Sequence, residues 1–256
     1  MTMIKTCRNL IIAAGMAFAG MTGMAVAAGD APAAPKQEWS FDGPFGTFDR
    51  AALQRGFQVY SEVCAACHGM QYLHYRNLGE AGGPEFTEAQ VKAIAAANDV
   101  ADIDDEGEAI DRPGLPKDKF VSPFANQRAA AAAHGVAPPD LSLMAKARVG
   151  GPDYIFALLT GYEDGPEDFD GANYNKYFPG HNIAMAQPLF DDQVEYQDGT
   201  AATQEQMARD VSHFLMWAAE PKLEARRSLG IRVMLYLLVL AGLMYFVKRK
   251  VWADAH

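Results

Sequence analysis

Cys64-Ala65-Ala66-Cys67-His68 is the stretch from which the rest of this chain is read. It has the C-x-x-C-H pattern of c-type haem attachment. Both thiols sit on one turn of backbone, so both can bond the two vinyl groups of a single porphyrin. The histidine beside the second thiol is then held under the iron as an axial ligand. Two other readings explain less. A structural zinc site needs four ligands, usually two Cys/His pairs, and the only other cysteine is Cys7. A thioredoxin-like thiol pair leaves His68 unexplained, and no βαβ pattern surrounds the motif.

Working outward, the neighbouring segments read as helices. One is expected from Thr47, with Thr47 as N-cap and Asp49 in the first turn. Leu53, Phe57, Tyr60 and Val63 give it an apolar face that runs into the haem motif. Gly56 lies mid-helix, where it costs about 1 kcal/mol against Ala. A close crossing by another helix accounts for it, and a tolerated weak point is the plainer alternative. Thr87-x-x-Gln90 has the form of a capping box opening a helix to about Asn98. Further helices are expected over Asp140–Arg148 and from Pro152, the latter stopping at Gly161. Residues 162–200 are rich in Gly and Pro and read as loop. After Thr203-x-x-Gln206, the residues Met207, Val211, Phe214, Leu215 and Ala218 form a well-defined apolar stripe that Pro221 ends. No strand series and no internal repeat is evident, so the fold class is mainly α.

The two ends read differently from the body. Residues 1–27 have the charged start, apolar run and Ala25-Val26-Ala27 cleavage pattern of a signal peptide, with an uncleaved membrane helix as the alternative. Cleavage would remove Cys7. Near the other end, Val233–Val247 is apolar, and counting from Leu229 gives 19 residues, close to the roughly 20 that span a bilayer. Arg226, Arg227 and Lys248-Arg249-Lys250 flank it, which favours a membrane anchor over a buried core helix. The expected organisation is 1–27 signal peptide, 28–221 exported haem domain, and 222–256 anchor with a short cytoplasmic tail. Charge follows this division. Residues 28–220 hold 30 acids against 13 bases, and residues 221–256 two acids against seven bases. An acidic body argues against nucleic acid and suits a soluble cationic partner. Asp99–Asp111 alone carries seven acids and no base. It reads either as a solvated loop or as a docking patch for a basic protein.

The iron's other axial position is not settled by the motif. Methionine there raises the potential and suits electron transfer. Met70 is too near His68, Met207 and Met216 belong to the last amphipathic helix, and Met234 and Met244 lie in the anchor. Met144 and Met185 remain, with His181, His134 and His74 as weaker candidates.

Several stretches together resemble the cytochrome c1 family, the haem subunits of quinol–cytochrome c reductase (bc1) complexes. They are Arg55–Tyr60 (RGFQVY), Pro138–Ser142 (PPDLS), Arg148 with Gly150-Gly151, Leu158–Tyr162 (LLTGY), Tyr177–Gly180 (YFPG), Ile183–Met185 (IAM) and Trp217–Pro221 (WAAEP). The resemblance implies a class I cytochrome c-like haem domain with loop insertions and one C-terminal transmembrane helix. It implies one haem c, covalently bound through Cys64 and Cys67, with His68 and Met185 on the iron. Arg148 would meet a haem propionate, Tyr154 would lie beside the ring, and Pro138 and Pro139 would line the pocket. In that fold the first and last helices of the haem domain cross, with Gly56 against the Phe214 region. The implied partners are cytochrome b, the Rieske iron–sulfur protein and a soluble basic c-type cytochrome. One departure stands out: the disulfide-bearing insert that some bacterial relatives carry before the ligand methionine is absent. A free-standing tethered cytochrome c and a haem peroxidase are the rival readings. The first is expected to have a smaller body, the second an open iron position.

Overall fold

The computed structural model describes residues 31–253. The expected signal peptide lies outside them. Seven α-helices and one two-stranded antiparallel sheet occur among the described residues. In chain order they are α1 (Arg50–Glu62), α2 (Glu88–Ala96), β1 (Asp99–Ile103), β2 (Ala109–Pro113), α3 (Gln127–His134), α4 (Met144–Ala147), α5 (Pro152–Thr160), α6 (Gln204–Ala219) and α7 (Leu223–Val251).

The centre of the body is the crossing of α1 and α6. Leu53, Phe57 and Tyr60 from α1 are buried against Met207, Val211 and Phe214 from α6. Phe214 meets Phe57 and Tyr60 at ring-centroid distances of 5.7 and 5.8 Å. Gly56 sits at the closest approach. A Cβ built there would lie 2.1 Å from the backbone oxygen of Asp210 and 2.8 Å from Cβ of Phe214. The mid-helix glycine is therefore a packing requirement, as expected. Beside it Arg55 forms an ion pair with Asp210, itself 1% exposed, and a second with Asp198. One charge cluster, buried only at Asp210, thus links α1, α6 and the loop before α6.

Local expectations were met unevenly. Thr87 and Gln90 do form a reciprocal capping box, and α5 runs from Pro152 to a Gly161 cap. Thr203 caps α6 by accepting from the Gln206 N–H. Three corrections are needed. The first helix is capped by Asp49, whose carboxylate accepts from the Ala51 and Ala52 N–H groups. The helix therefore starts at Arg50, later than Thr47, whose N–H donates to Ser40 O. The helix expected over Asp140–Arg148 shrinks to Met144–Ala147. The Asp140 carboxylate accepts from the Gln71 and Ser142 N–H groups and holds 140–143 in a turn. The acidic run Asp99–Asp111 is not plain loop but most of a β-hairpin, with Asp99 paired to Pro113 and Ile103 to Ala109. Arg112 ties that hairpin to Asp102 and, through two nitrogens, to Asp118.

α7 stands off the body. Its first turn is clamped: Leu223 is buried, and Glu224 accepts two bonds from Arg50 (2.8 Å each) and one from the Phe48 N–H (2.7 Å). From Leu229 onward its large apolar side chains are exposed, and the helix is long and apolar enough to cross a membrane. At 1.5 Å per residue, the 19 residues from Leu229 to Val247 cover about 28 Å, close to a bilayer's hydrocarbon thickness.

Candidate functional site

The amphipathic helix α1 delivers the motif to one side of the core. Its last turn tightens into a 3₁₀ turn over Cys64–Ala66, closed by N–H bonds from Cys67 and His68 to Cys64 O. Both cysteines are half-buried and neither is in a disulfide. Burial pushes the Cys64 thiol up to about 12, with the neighbouring Cys67 adding to the effect. The two free cysteines thus stand three residues apart on one turn.

His68 carries the most informative geometry. Its Nδ1 lies 2.7 Å from the carbonyl oxygen of Pro139. A carbonyl can only accept, so Nδ1 holds the proton and Nε2 presents its lone pair. Burial lowers the imidazole pKa against the modest opposing pull of that carbonyl, which keeps the ring neutral. A neutral ring with a fixed tautomer and an open Nε2 is the state in which histidine binds a metal. The backbone around it is fixed as well. Tyr60 donates to His68 O (3.2 Å), Leu141 N–H to Gly69 O (2.9 Å), and Gln71 N–H to Asp140 Oδ2 (2.8 Å). Pro138, half-buried, and Pro139, exposed, thus belong to a strap that clasps the residues just after the motif.

A second group of site residues comes from α4, α5 and the loop beyond. Arg148 is exposed at the C-cap of α4. Tyr154, in the first turns of α5, is half-buried. Burial raises its pKa, while the nearby positive charge of Arg148 opposes the rise. Tyr154 is in turn near Tyr162, whose pKa is raised chiefly by burial. The Tyr162 hydroxyl donates to Met185 O at 3.0 Å. Asn173 bonds Ile183 on both sides, accepting its N–H (3.0 Å) and donating to its carbonyl (3.2 Å). The Met185 segment is therefore anchored by its backbone, and its half-buried side chain packs against the core. Met144 packs there too.

These residues fit a covalent haem. Two unpaired thiols stand on one turn, a neutral imidazole has one nitrogen open, a tethered thioether is available, and an exposed guanidinium can meet a carboxylate. Among the described residues no group of three or more His, Cys, Asp or Glu side chains that could hold a metal ion is found. Reading the sequence alone gave Tyr60, Asp140 and Tyr162 no supporting role at the site and did not single out Asn173. Tyr60 had a signal, its place on the apolar face one turn before Cys64. The other three act through backbone bonds across 69 residues (Asp140 to Gln71), 23 residues (Tyr162 to Met185) and 10 residues (Asn173 to Ile183), which no local pattern encodes.

The sequence profile of the Cytochrome C1 family matches residues 39–255. Cytochrome c1 of Rhodospirillum rubrum is 48% identical over 273 residues, covering 98% of this chain and 99% of that protein. Cytochrome b/c1 of Bradyrhizobium diazoefficiens is 50% identical over 270 residues, covering 96% of this chain but only 39% of that longer protein. The cytochrome b-c1 complex catalytic subunit of Candida albicans mitochondria is 50% identical over 224 residues, 85% of this chain and 77% of the relative. With a family match across most of its length and a relative of equal extent, this chain belongs to the cytochrome c1 family.

Proposed function

We propose that this chain is the haem-bearing electron-transfer subunit of a quinol–cytochrome c reductase complex. It takes single electrons from a Rieske iron–sulfur protein and passes them to a soluble basic c-type cytochrome, with cytochrome b as its membrane neighbour. Quinol oxidation belongs to the partner subunits, and this chain carries no bond-making substrate chemistry. The observation that carries the reading is His68 in its C-x-x-C-H turn, proton fixed on Nδ1 by Pro139 and Nε2 open.

When bound, haem c supplies a one-electron iron couple. The chain's own residues do the rest. Cys64 and Cys67 would hold the group covalently through their sulfurs, and His68 and Met185 would supply a nitrogen and a sulfur to its iron. The Pro139 carbonyl stops His68 from rotating. The Tyr162 hydroxyl, bonded to Met185 O, fixes the backbone that carries the Met185 thioether. Arg148 would pair with a carboxylate of the group, Tyr154 would shield its edge from water, and Pro138 and Pro139 would close the histidine side. The exposed acids of the β1–β2 hairpin attract a basic acceptor.

In this reading residues 1–27 are removed on export, 28–221 form the haem domain on the periplasmic side, and 222–256 hold the anchor and cytoplasmic tail. The test is purification of the detergent-solubilised complex. The account expects b-type cytochrome and Rieske protein to co-purify, one haem mass on the Cys64–Cys67 peptide, and acceptor reduction that slows as salt rises. A chain that purifies alone with full acceptor activity would make it a tethered carrier instead.

A further inference from the structure

We propose that the turn Asp42-Gly43-Pro44-Phe45-Gly46 is a lipid-contacting foot, seating the base of the haem domain on the bilayer surface. Phe45 is 80% exposed, the most open aromatic side chain of the body. A lone exposed Phe is ordinary, but this one is held in place by the membrane helix itself. Arg227 of α7 donates through Nη1 to Phe41 O (2.7 Å) and Gly46 O (2.9 Å), bracketing the turn from both ends.

The turn is built to keep its shape. Gly43 has φ +72°, and a Cβ on Gly46 would lie 2.1 Å from Asp42 O, so both positions require glycine. Pro44 fixes φ ahead of Phe45. Phe41 is buried on Trp39, with stacked rings 5.6 Å apart, which ties the turn to the core. A rigid turn presenting one aromatic side chain has no folding reason to expose it.

Its height relative to the bilayer follows from the helix. Arg227 precedes Leu229 by two residues, about 3 Å along the axis. Leu229 is 59% exposed and opens the apolar span. The turn therefore sits within about one helical turn of the hydrocarbon boundary, at the depth where aromatic rings and basic side chains are favoured. The two Arg227 bonds tie the turn to α7 just before the run of exposed apolar side chains that opens at Leu229. That tie to the start of the span selects lipid, rather than a protein partner, as the occupant. The inference rests on α7 spanning a membrane.

The test replaces Phe45 with the photo-crosslinking residue p-benzoyl-phenylalanine in the full haem-loaded chain. The chain is placed in phosphatidylcholine–phosphatidylglycerol nanodiscs and, separately, in the assembled complex in native membranes. Tyr236, exposed within the span, is the positive control, and Phe190, 55% exposed on the body, the negative control. The expected result is a lipid mass on the peptides carrying positions 45 and 236 in both settings, and none at 190. Lipid at 236 but not at 45 would overturn this proposal alone. A protein adduct at 45 in the assembled complex would overturn it in favour of a subunit contact. No lipid at 236 would overturn the membrane reading and this proposal with it. An unchanged haem spectrum in the position 45 variant confirms that it has folded.

Discussion

The crossing of α1 and α6 makes a sharp numerical test. In Gly56→Ala the added methyl would stand 2.1 Å from Asp210 O and 2.7 Å from its carbonyl carbon. Those atoms are backbone, so no side-chain rotation relieves the clash and the helices must part. Restoring an ordinary contact takes a shift of about 1 Å along a seam filled by Phe57, Phe214 and Val211. Overpacking of this kind costs typically 1–3 kcal/mol, and the backbone partner puts this site near the upper end, at about 3. The better helix propensity of Ala returns about 1 kcal/mol. The net loss is about 2 kcal/mol, roughly 30-fold in the folded-to-unfolded ratio. Urea unfolding of the haem-loaded chain, followed by far-UV circular dichroism and haem absorbance, measures it. A midpoint that stays put or rises would refute the crossing argument, because propensity alone would then be deciding.

Three further outcomes follow from other contacts. Asp210→Ala strands a half-buried Arg55 with only the more exposed Asp198, and should cost about 3 kcal/mol in the same assay. The double change Arg55→Met, Asp210→Leu should recover most of that loss. Tyr162→Phe removes the bond to Met185 O, worth about 1 kcal/mol. The near-infrared methionine-to-iron band should then fade at a lower temperature while the haem stays attached. Asp118 is held down to about 2 from an ordinary 3.8, first by its Arg112 bond and then by the Leu115 N–H. A depressed carboxylate stabilises the fold above its unfolded value and loses that contribution as pH falls through the folded one. Amide protection of the β1–β2 hairpin should therefore be full above about pH 4 and decline toward pH 2, and Asp118→Asn should remove that step.

The parts of the fold written in periodic apolar residues were legible. α1, α5 and α6 each present a stripe that sequence spacing reveals, and Gly56 showed itself as a break in good helix-forming sequence. The hairpin did not. Nearly all of its residues are exposed, so neither strand has an apolar alternation to read, and its register depends on the ladder and on Arg112. α3 was hidden for a related reason. Five consecutive alanines define no face, and what marked the helix was their high propensity and the Asn126 cap, whose side chain accepts from the Ala129 N–H. At the site, Cys64, Cys67 and His68 are readable because the haem attachment proposed for them would demand that spacing. The Pro139 carbonyl and the Tyr162 hydroxyl are not, because they become partners only once the chain has folded back on itself.

The central claim is that an imidazole and a thioether hold the iron from opposite faces. Redox titration and spectroscopy of Met185→Leu test it most directly, since leucine fills similar space and cannot coordinate. The account predicts loss of the near-infrared band, ready binding of an external ligand such as cyanide, and a lower midpoint potential with haem still attached to Cys64 and Cys67. An unchanged band and midpoint would contradict it and move the ligand role to Met144.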